Sequence, residues 1–296
     1  MTATGSALRR LLLAAAMIGH VAPLEAGELR SIATGEISAA VRDADGLLVH
    51  HVRSPWQSGP TEIRVLLPKH RPSGRRYRVV YLLPVEAGRE ARFGDGLDVV
   101  RRMRAADRFG VIVVAPTFAQ LPWYADHPTD PALRQESYLV ECVVPLVDHV
   151  YPTLRAPGGR LLCGFSKSGW GAWSLALRRP DVFGRAASWD APLMMDAPGP
   201  YGSGPIFGTS ENFHKYELRR LLEKAISSTP CEPTARTSGV PRLILLGQGN
   251  FTDHGPMHEL LERLGVPHVY DAGRKSEHIW SAEWLERALT ELARRP

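Results

Sequence analysis

The sequence predicts an α/β protein with a doubly wound, mostly parallel sheet and helices on both faces. Two short apolar runs, residues 79–84 and 111–116, are typical of parallel strands that are buried on both sides. Residues 135–151 follow them with apolar side chains at helical spacing. Strands that alternate with helices in this way form a parallel sheet whose functional loops lie beyond the carboxyl ends of the strands.

The other elements continue this alternation after an extended segment that begins near residue 31. Residues 61–68 alternate between polar and apolar side chains and stop at Pro68, which indicates a strand. The remaining strands are expected at residues 160–163, 186–189, 243–246 and 266–270. The remaining helices are expected near residues 97–106, 169–178, 257–264 and 282–292.

A Gly/Pro-rich insertion interrupts this order after the sixth strand. Residues 196–210 contain seven glycines and prolines, and residues 213–226 then carry a helical pattern. Such an excursion between two strands lies above the sheet, either as a cap or pocket wall or as a plain surface loop. The sequence shows no internal repeat and no clear linker, so we expect one domain over residues 27–296.

The first 26 residues have the features of a secretory signal peptide. Arg9 and Arg10 provide a positive segment, residues 11–22 form an apolar run, and Ala26 is a small residue at the cleavage position. This run is shorter than the roughly 20 residues needed to span a bilayer. We therefore expect cleavage after Ala26 and a secreted or periplasmic protein with no stable membrane span once the leader is removed.

Charge and cysteine usage narrow the possible partners. The formal net charge is +5 over 296 residues, and the basic residues are spread in short arginine pairs, so we expect no nucleic-acid partner. Cys142 and Cys163 lie in apolar segments and are expected to be buried, whereas Cys231 lies in a polar loop. His254 and His258 are four residues apart, but the glycine and proline between them indicate a helix start. We expect no metal and no cofactor.

The most specific motif is Gly-Phe-Ser-Lys-Ser-Gly at residues 164–169. It lies where a strand meets a helix, which is the position of a nucleophile elbow, a sharp turn that presents a serine. The turn demands small residues two positions before and two positions after that serine. Gly164 satisfies the demand, and Ser168 stands where a second glycine is usual. Ser166 is therefore the candidate nucleophile.

A serine nucleophile needs an imidazole to take its proton and a carboxylate to orient that imidazole. His278 is the best-placed base, because it follows the last expected strand and precedes the final helix. Asp253 is favoured as the acid, because it is the only carboxylate in the loop after residues 243–246. Asp190, just after the preceding strand, is the alternative acid.

The oxyanion formed in such a reaction needs two backbone N–H donors. Lys167, directly after the candidate nucleophile, is expected to supply one of them, and its side chain is expected to point to solvent or the pocket rim. The other donor is expected from the loop after residues 79–84. Because Pro84 has no N–H, Val85 or Glu86 must be that donor.

These motifs together resemble the putative esterase family of α/β-hydrolases, which includes esterase D, feruloyl and acetylxylan esterases and the antigen 85 mycolyltransferases. Arg-Pro-Asp-Val-Phe at residues 179–183 resembles the turn that follows the family's elbow helix. His-Ile-Trp at residues 278–280, with Trp284, resembles the family's histidine and its spaced tryptophans. The resemblance covers roughly residues 60–294. It implies the α/β-hydrolase fold, with Ser166 as nucleophile and His278 as base.

Several departures from the family pattern mark a divergent branch, among them Trp-Asp-Ala-Pro at residues 189–192, where the family usually has small residues. Pro84-Val85 replaces the usual His-Gly of the oxyanion loop, Ser168 replaces the elbow glycine, and Asn250 stands near the usual acid position. The resemblance implies a serine carboxylic-ester hydrolase that forms an acyl-enzyme on its serine and takes a small-molecule or glycan ester. An acyltransferase of the same fold is one alternative. The other is a non-catalytic member that binds a ligand, such as a glycan, in a cleft with an aromatic rim at Trp123, Tyr124, Trp170 and Trp280.

Overall fold

The computed structural model describes residues 35–227, 239–275 and 277–294. The signal peptide expected over residues 1–26 and Cys231 lie outside the described residues. The signal peptide and the secreted or periplasmic location therefore stay predictions. Cys142 and Cys163 are buried free thiols in the core, as their apolar segments indicated.

The described part of the chain forms a ten-stranded sheet that begins with an antiparallel region. Its first strands are β1 (Glu36–Ile37), β2 (Val41–Arg42), β3 (Leu48–Arg53) and β4 (Thr61–Leu66). β3 pairs antiparallel with β1, β2 and β4, and β4 pairs antiparallel with the strand that follows it in the sheet. Pro68 ends the run that contains β4, in agreement with the strand expected there.

The rest of the sheet is parallel. Its strands are β5 (Arg78–Leu82), β6 (Val111–Pro116), β7 (Arg160–Phe165), β8 (Arg185–Trp189), β9 (Leu243–Gln248) and β10 (His268–Lys275). The strand order is β1-β3-β4-β6-β5-β7-β8-β9-β10, with β2 beside β3. The carboxyl ends of β5 to β10 therefore meet at one edge of the sheet, and the order reverses around β5, as in a doubly wound fold.

Helices connect these strands, and most lie close to the expected positions. They are α1 (Gly96–Arg102), α2 (Ala105–Phe109), α3 (Gln135–Ser137), α4 (Val144–Val150), α5 (Lys167–Arg178), α6 (Gly204–Phe207), α7 (Ser210–His214), α8 (Leu218–Ser227), α9 (His254–Arg263) and α10 (Ala282–Ala293). A π-helical segment, Tyr138–Val143, joins α3 to α4, so residues 135–150 form one continuous helical stretch. The helix expected near residues 97–106 is divided at Arg104, whose φ is 54°.

The core has two layers, one on each face of the sheet. Along β7, Leu162 packs into one layer, whereas Leu161, Cys163 and Phe165 pack into the other. This alternation is the consequence of the two-residue period of a strand. Residues of α4 and α5 cover the first face, and residues of α1 and α10 cover the second. Helices on both faces of a mostly parallel sheet confirm the predicted fold class.

The Gly/Pro-rich insertion follows Arg185–Trp189, which is the eighth strand because residues 35–66 form four strands. Phe207 and Phe213 of the insertion pack into the core against Trp170 of α5. Tyr201 remains exposed at the insertion's surface and makes an edge-on contact with Phe251 in the loop after β9. One end of the insertion is thus anchored in the core, and the other reaches the carboxyl edge of the sheet.

Among the described helices, none has the length and apolar character required to cross a bilayer.

Candidate active site

The turn between β7 and α5 holds Ser166 in an unusual backbone conformation. Its φ is 54° and its ψ is −133°, a region that L-residues rarely occupy. Such strain persists only where the surrounding structure fixes it, and it is typical of functional turns. The backbone N–H of Ser166 donates to the carbonyl of Trp189 at 3.2 Å, which ties the turn to the end of β8. The serine is 4% exposed, at the carboxyl edge of the sheet.

Close packing explains the small residues around this serine. A Cβ added to Gly164 would lie 2.1 Å from the carbonyl oxygen of Ser168, and one added to Gly169 would lie 2.4 Å from Ser188 Oγ. Neither position has room for a larger side chain. Ser168 itself is buried, and its hydroxyl donates to the carbonyl of Phe165 at 2.8 Å and accepts from the Phe165 N–H at 3.0 Å. The serine in place of glycine therefore closes the turn.

Three side chains form a continuous hydrogen-bonded chain at this edge. His278 Nε2 lies 3.0 Å from Ser166 Oγ, and His278 Nδ1 lies 2.6 Å from Asp190 Oδ2. Asp190 directly follows β8, and His278 lies in the loop between β10 and α10. The order along the chain is serine, carboxylate, histidine. An imidazole held between a hydroxyl and a carboxylate can take the hydroxyl proton while the carboxylate stabilises the resulting charge.

The surroundings of Asp190 keep its carboxylate ionised. Burial alone would raise its pKa, but the hydrogen bond from His278 and those from the backbone N–H groups of Phe251 and Asn250 outweigh burial and lower the pKa. The Phe251 N–H donates to Oδ1 at 2.8 Å. A Cβ on Gly249 would lie 2.0 Å from Oδ2, so the loop after β9 can approach the carboxylate this closely only with glycine there.

Asp253, the favoured acid from sequence, does not reach His278. Its Oδ2 accepts a hydrogen bond from the Met194 N–H at 2.8 Å, which links the start of α9 to the segment between β8 and the insertion. Burial raises the pKa of Asp253, and the Met194 N–H lowers it by a smaller amount. The geometry therefore favours Asp190, the alternative acid. Strands β8 and β9 end at the same edge of the sheet, so the loops that follow them lie side by side. The loop after β8 carries the Asp190 carboxylate, and the loop after β9 donates backbone N–H groups to it.

The two segments expected to supply oxyanion donors lie side by side. Lys167 is the first residue of α5, so its backbone N–H has no acceptor within that helix. Its ammonium lies 3.9 Å from a carboxylate oxygen of Glu86, with about a tenth of each side chain exposed. Burial lowers the pKa of Lys167, and the Glu86 carboxylate opposes this effect. Of the two positions expected for this side chain, solvent and the pocket rim, solvent is therefore wrong: the side chain folds onto the loop after β5.

Tyr124 also holds the loop after β5. The Tyr124 hydroxyl donates to the carbonyl of Pro84, and the tyrosine is fully buried against α5. Val85, next to that proline, is also buried, whereas Glu86 is slightly exposed. The loop that carries the expected donors Val85 and Glu86 is thus fixed on one side by a tyrosine and on the other by Lys167.

Aromatic rings surround His278. The rings of Phe93, Phe165 and Phe251 have centroids 5.1, 4.6 and 5.5 Å from that of the imidazole. Trp280 packs edge-on against Phe165 at 5.5 Å. Phe93 and Phe251 are half-buried, so they form the accessible aromatic surface beside the histidine, together with the exposed Tyr201. The sequence offered no periodic signal for Phe93, Phe251 and Tyr201, because they lie outside the strands and α-helices.

The four aromatic residues that the sequence indicated as a cleft rim are buried in the structure. Trp123, Tyr124 and Trp170 are fully buried, and Trp280 is 7% exposed. Trp123 and Trp170 make an edge-on contact with each other at 5.6 Å within the core. They do not form a rim, because the insertion covers this side of α5 and leaves it no solvent-facing side. Tyr124 contacts the loop after β5, and Trp280 packs against Phe165 and Trp189.

His254 supports the acid loop from the interior. Its Nε2 accepts a hydrogen bond at 3.0 Å from the N–H of Ala191, the residue after Asp190. Burial lowers the pKa of His254 to about 4, and the nearby Asp190 charge opposes this effect only in part. The histidine is therefore neutral near pH 7 and acts as an acceptor. The sequence indicated a helix start at this residue and gave no sign of a role beside Asp190.

A doubly wound sheet that brings a serine, a carboxylate and a histidine together in this chain order defines an α/β-hydrolase. Residues 55–229, more than half of the chain, match the family described as "Putative esterase". The chain belongs to this family, which confirms the resemblance of its motifs. No curated protein matches the chain in sequence.

Solved structures share this fold at low sequence identity. The S-formylglutathione hydrolase FrmB of Staphylococcus aureus is 18% identical, with a TM-score of 0.65 over 87% of this chain and 100% of that one. MPT51 of Mycobacterium tuberculosis is 16% identical, with a TM-score of 0.63 over 86% of this chain and 98% of that one. The ferulic acid esterase AmCE1/Fae1A of Anaeromyces mucronatus is 18% identical, with a TM-score of 0.55 over 87% and 90%.

Proposed function

We propose that the protein is a serine carboxylic-ester hydrolase in which Ser166 forms an acyl-enzyme. The observation that carries this proposal is the unbroken hydrogen-bonded chain from Ser166 through His278 to Asp190, built on a strained turn. Membership of an esterase family supports the same reaction class. A small-molecule or glycan ester is the proposed substrate.

In the first half of the reaction, Ser166 Oγ attacks the ester carbonyl carbon while its proton passes to His278 Nε2. The ionised Asp190 stabilises the imidazolium through Nδ1–H and keeps the ring oriented. The negative charge that develops on the carbonyl oxygen is stabilised by the backbone N–H of Lys167 and by that of Val85 or Glu86. The C–O bond then breaks, and the alcohol leaves with the proton held by His278.

In the second half, water replaces the alcohol. His278 takes a proton from the water, whose oxygen attacks the acyl carbon, and the same backbone donors stabilise the second oxyanion. Collapse releases the carboxylic acid, and the proton returns to Ser166. The charges balance within the protein, and no residue outside this set has to gain or lose a proton.

A fluorophosphonate probe tests this proposal directly. We expect purified protein to be labelled, with mass spectrometry locating the adduct on Ser166, and we expect Ser166→Ala to abolish both the label and turnover of p-nitrophenyl acetate. The exposed Ser58 offers the control, because Ser58→Ala removes a hydroxyl that is bonded to Gln120 and not to the three reacting side chains, and it should leave both properties intact. Folded wild-type protein that takes no label at Ser166 would contradict the proposal.

A further inference from the structure

We propose that His258, Glu262 and His268 form a binding site for a divalent transition-metal ion of the zinc type, between α9 and β10. His258 and Glu262 are four residues apart on α9, so they lie on one face of that helix. His268 is the first residue of β10. It lies at the amino end of a parallel strand, whereas His278 follows the carboxyl end, so this cluster and the proposed active site lie at opposite ends of β10.

The three side chains converge closely enough to share one ion. His258 Nδ1 lies 2.8 Å from His268 Nε2, and a carboxylate oxygen of Glu262 lies 3.8 Å from the same His268 nitrogen. One ligand atom from each of the three residues falls within 4.8 Å of the others. Two imidazole nitrogens and one carboxylate oxygen that meet at one point are a ligand set used by zinc and its neighbours in the first transition series.

Both imidazole rings are oriented by partners outside the cluster. His268 Nδ1 lies 2.8 Å from the carbonyl oxygen of Val266, so this nitrogen carries the hydrogen and leaves the lone pair of Nε2 directed at the cluster. A ring N–H bonded to a backbone carbonyl is the usual support of a metal-bound histidine. The ring of His258 stacks on Tyr270, with centroids 4.0 Å apart and planes 14° apart.

A small adjustment converts the hydrogen-bonded pair into a metal site. Without an ion, the Nδ1–H of His258 donates to His268 Nε2. With Zn–N bonds of about 2.1 Å, the two nitrogens of a tetrahedral site stand about 3.4 Å apart, so the rings must separate by only about half an ångström. The His268 side chain is 3% exposed and Glu262 is 67% exposed, so the exposed side can admit the ion and a water molecule as the fourth ligand.

An ion bound there would join α9 to the edge strand of the parallel region. β10 pairs with β9 on one side, and the described sheet ends with it. Because the metal would bind the folded chain and not the unfolded one, its binding would raise the melting temperature, by an amount that grows with the logarithm of the metal concentration above the Kd. The expected role is therefore stabilisation of the element that leads to His278.

Metal titration of a chain without a histidine tag tests the site. After dialysis against a chelator and then against buffer, we expect Zn²⁺ to bind with one-to-one stoichiometry in calorimetry and to raise the melting temperature, and Co²⁺ to give the visible absorption of a tetrahedral site. His268→Gln should abolish all three signals. Glu262→Gln, at an exposed position, should weaken zinc binding about tenfold while the fold is preserved, as circular dichroism would show.

His70→Gln is the matched control, because it removes an exposed histidine far along the chain from the cluster, and its zinc affinity should equal that of the wild type. Wild-type protein that is folded and shows no saturable zinc binding would overturn the proposal. The proposal would also be overturned if Glu262→Gln and His258→Ala were both folded and both bound zinc as tightly as the wild type. Fluorophosphonate labelling of Ser166 reports on the proposed function separately, so failure of one proposal is distinguishable from failure of the other.

Discussion

At the scale of single residues, two strained positions carry the hydrogen-bonded chain of the proposed active site. Ser166 and Asp190 both have positive φ, 54° and 43°, although neither is glycine. Each such conformation costs about 1–3 kcal/mol, which the surrounding structure must offset. The contact of the Ser166 N–H with the carbonyl before Asp190 places both turns on one strand pair. The strain therefore serves to aim two side chains at the same imidazole.

The choice of acid gives the first prediction. Asp190→Asn should lower kcat/KM for p-nitrophenyl acetate by about 10³- to 10⁴-fold, because a neutral amide cannot stabilise the imidazolium and disturbs the tautomer of His278. Asp253→Asn is the matched control. Its amide oxygen can still accept from Met194, so the rate should stay within a few-fold of the wild type. A larger loss in Asp253→Asn than in Asp190→Asn would assign the acid to the other loop.

Residue types and chain order were sufficient to identify Ser166 and His278 as candidates. They could not select the acid, because Asp190 and Asp253 lie in loops that end at the same edge of the sheet. The difference lies in the backbone angle at Asp190 and in the N–H groups that converge on its carboxylate, and neither is visible in a sequence. The aromatic residues beside His278 were missed for a similar reason, since loop residues have no periodicity to indicate where they point.

At the scale of elements, α5 is unusual because it is buried on nearly every side. Its residues from Lys167 to Leu177 are all buried, so its sequence shows apolar and small residues all round. One face is in very close contact with the Tyr124 ring, since a Cβ on Gly171 would lie 2.0 Å from a ring carbon. Tyr124 in turn donates to the carbonyl of Pro84 in the loop of the expected oxyanion donors. Helix packing and that loop are therefore coupled through one ring.

This coupling predicts the effect of one methyl group. Gly171→Ala should reduce the free energy of unfolding by about 1–3 kcal/mol, because the methyl group must displace a buried ring, and it should lower kcat through the displaced Pro84 loop. Gly255→Ala in α9 has open space around the new methyl group, so its stability should be unchanged or up to about 1 kcal/mol higher. Urea unfolding measures both variants. Equal free energies of unfolding for the two variants would contradict the prediction, because they would show that the Tyr124 ring can move aside at no cost.

Sequence periodicity predicted the existence of α5 and most other elements but not their surroundings. The tryptophans expected at a cleft rim, Trp123 and Trp170, are core residues, because the insertion covers the side of α5 that would otherwise face solvent. A helical pattern does not indicate which element covers it. The division at Arg104 was also missed, since a single positive φ leaves no mark on the apolar pattern.

At the scale of the whole molecule, a buried histidine makes the stability of the fold depend on pH. His254 is fully buried and neutral, and it accepts a hydrogen bond from the backbone just after Asp190. In the unfolded chain a histidine binds a proton near pH 6.5, whereas the pKa of folded His254 is about 4. Its contribution to stability is therefore complete above about pH 6.5 and decreases as the pH falls toward 4.

The corresponding prediction concerns the pH dependence of unfolding. Between about pH 7.5 and pH 5, His254 should account for about 2 kcal/mol of lost stability. In His254→Gln the amide oxygen can still accept from Ala191, and this variant should lose about 2 kcal/mol less than the wild type over that interval. His149→Gln, at an exposed histidine, should retain the wild-type slope. Urea unfolding at both pH values checks this, and identical slopes in all three proteins would contradict it.

The loop after β9 gives only backbone groups to the carboxylate of Asp190, since the bonds come from the N–H groups of Asn250 and Phe251. The side chains of this loop therefore take no part in the proposed proton transfer. Asn250 and Thr252 are exposed there, beside the aromatic surface around His278. A combinatorial library at these two positions would change the surface beside His278 while Ser166, His278 and Asp190 stay in place. For an engineer seeking new ester selectivity, this loop is the part of the molecule to randomise first.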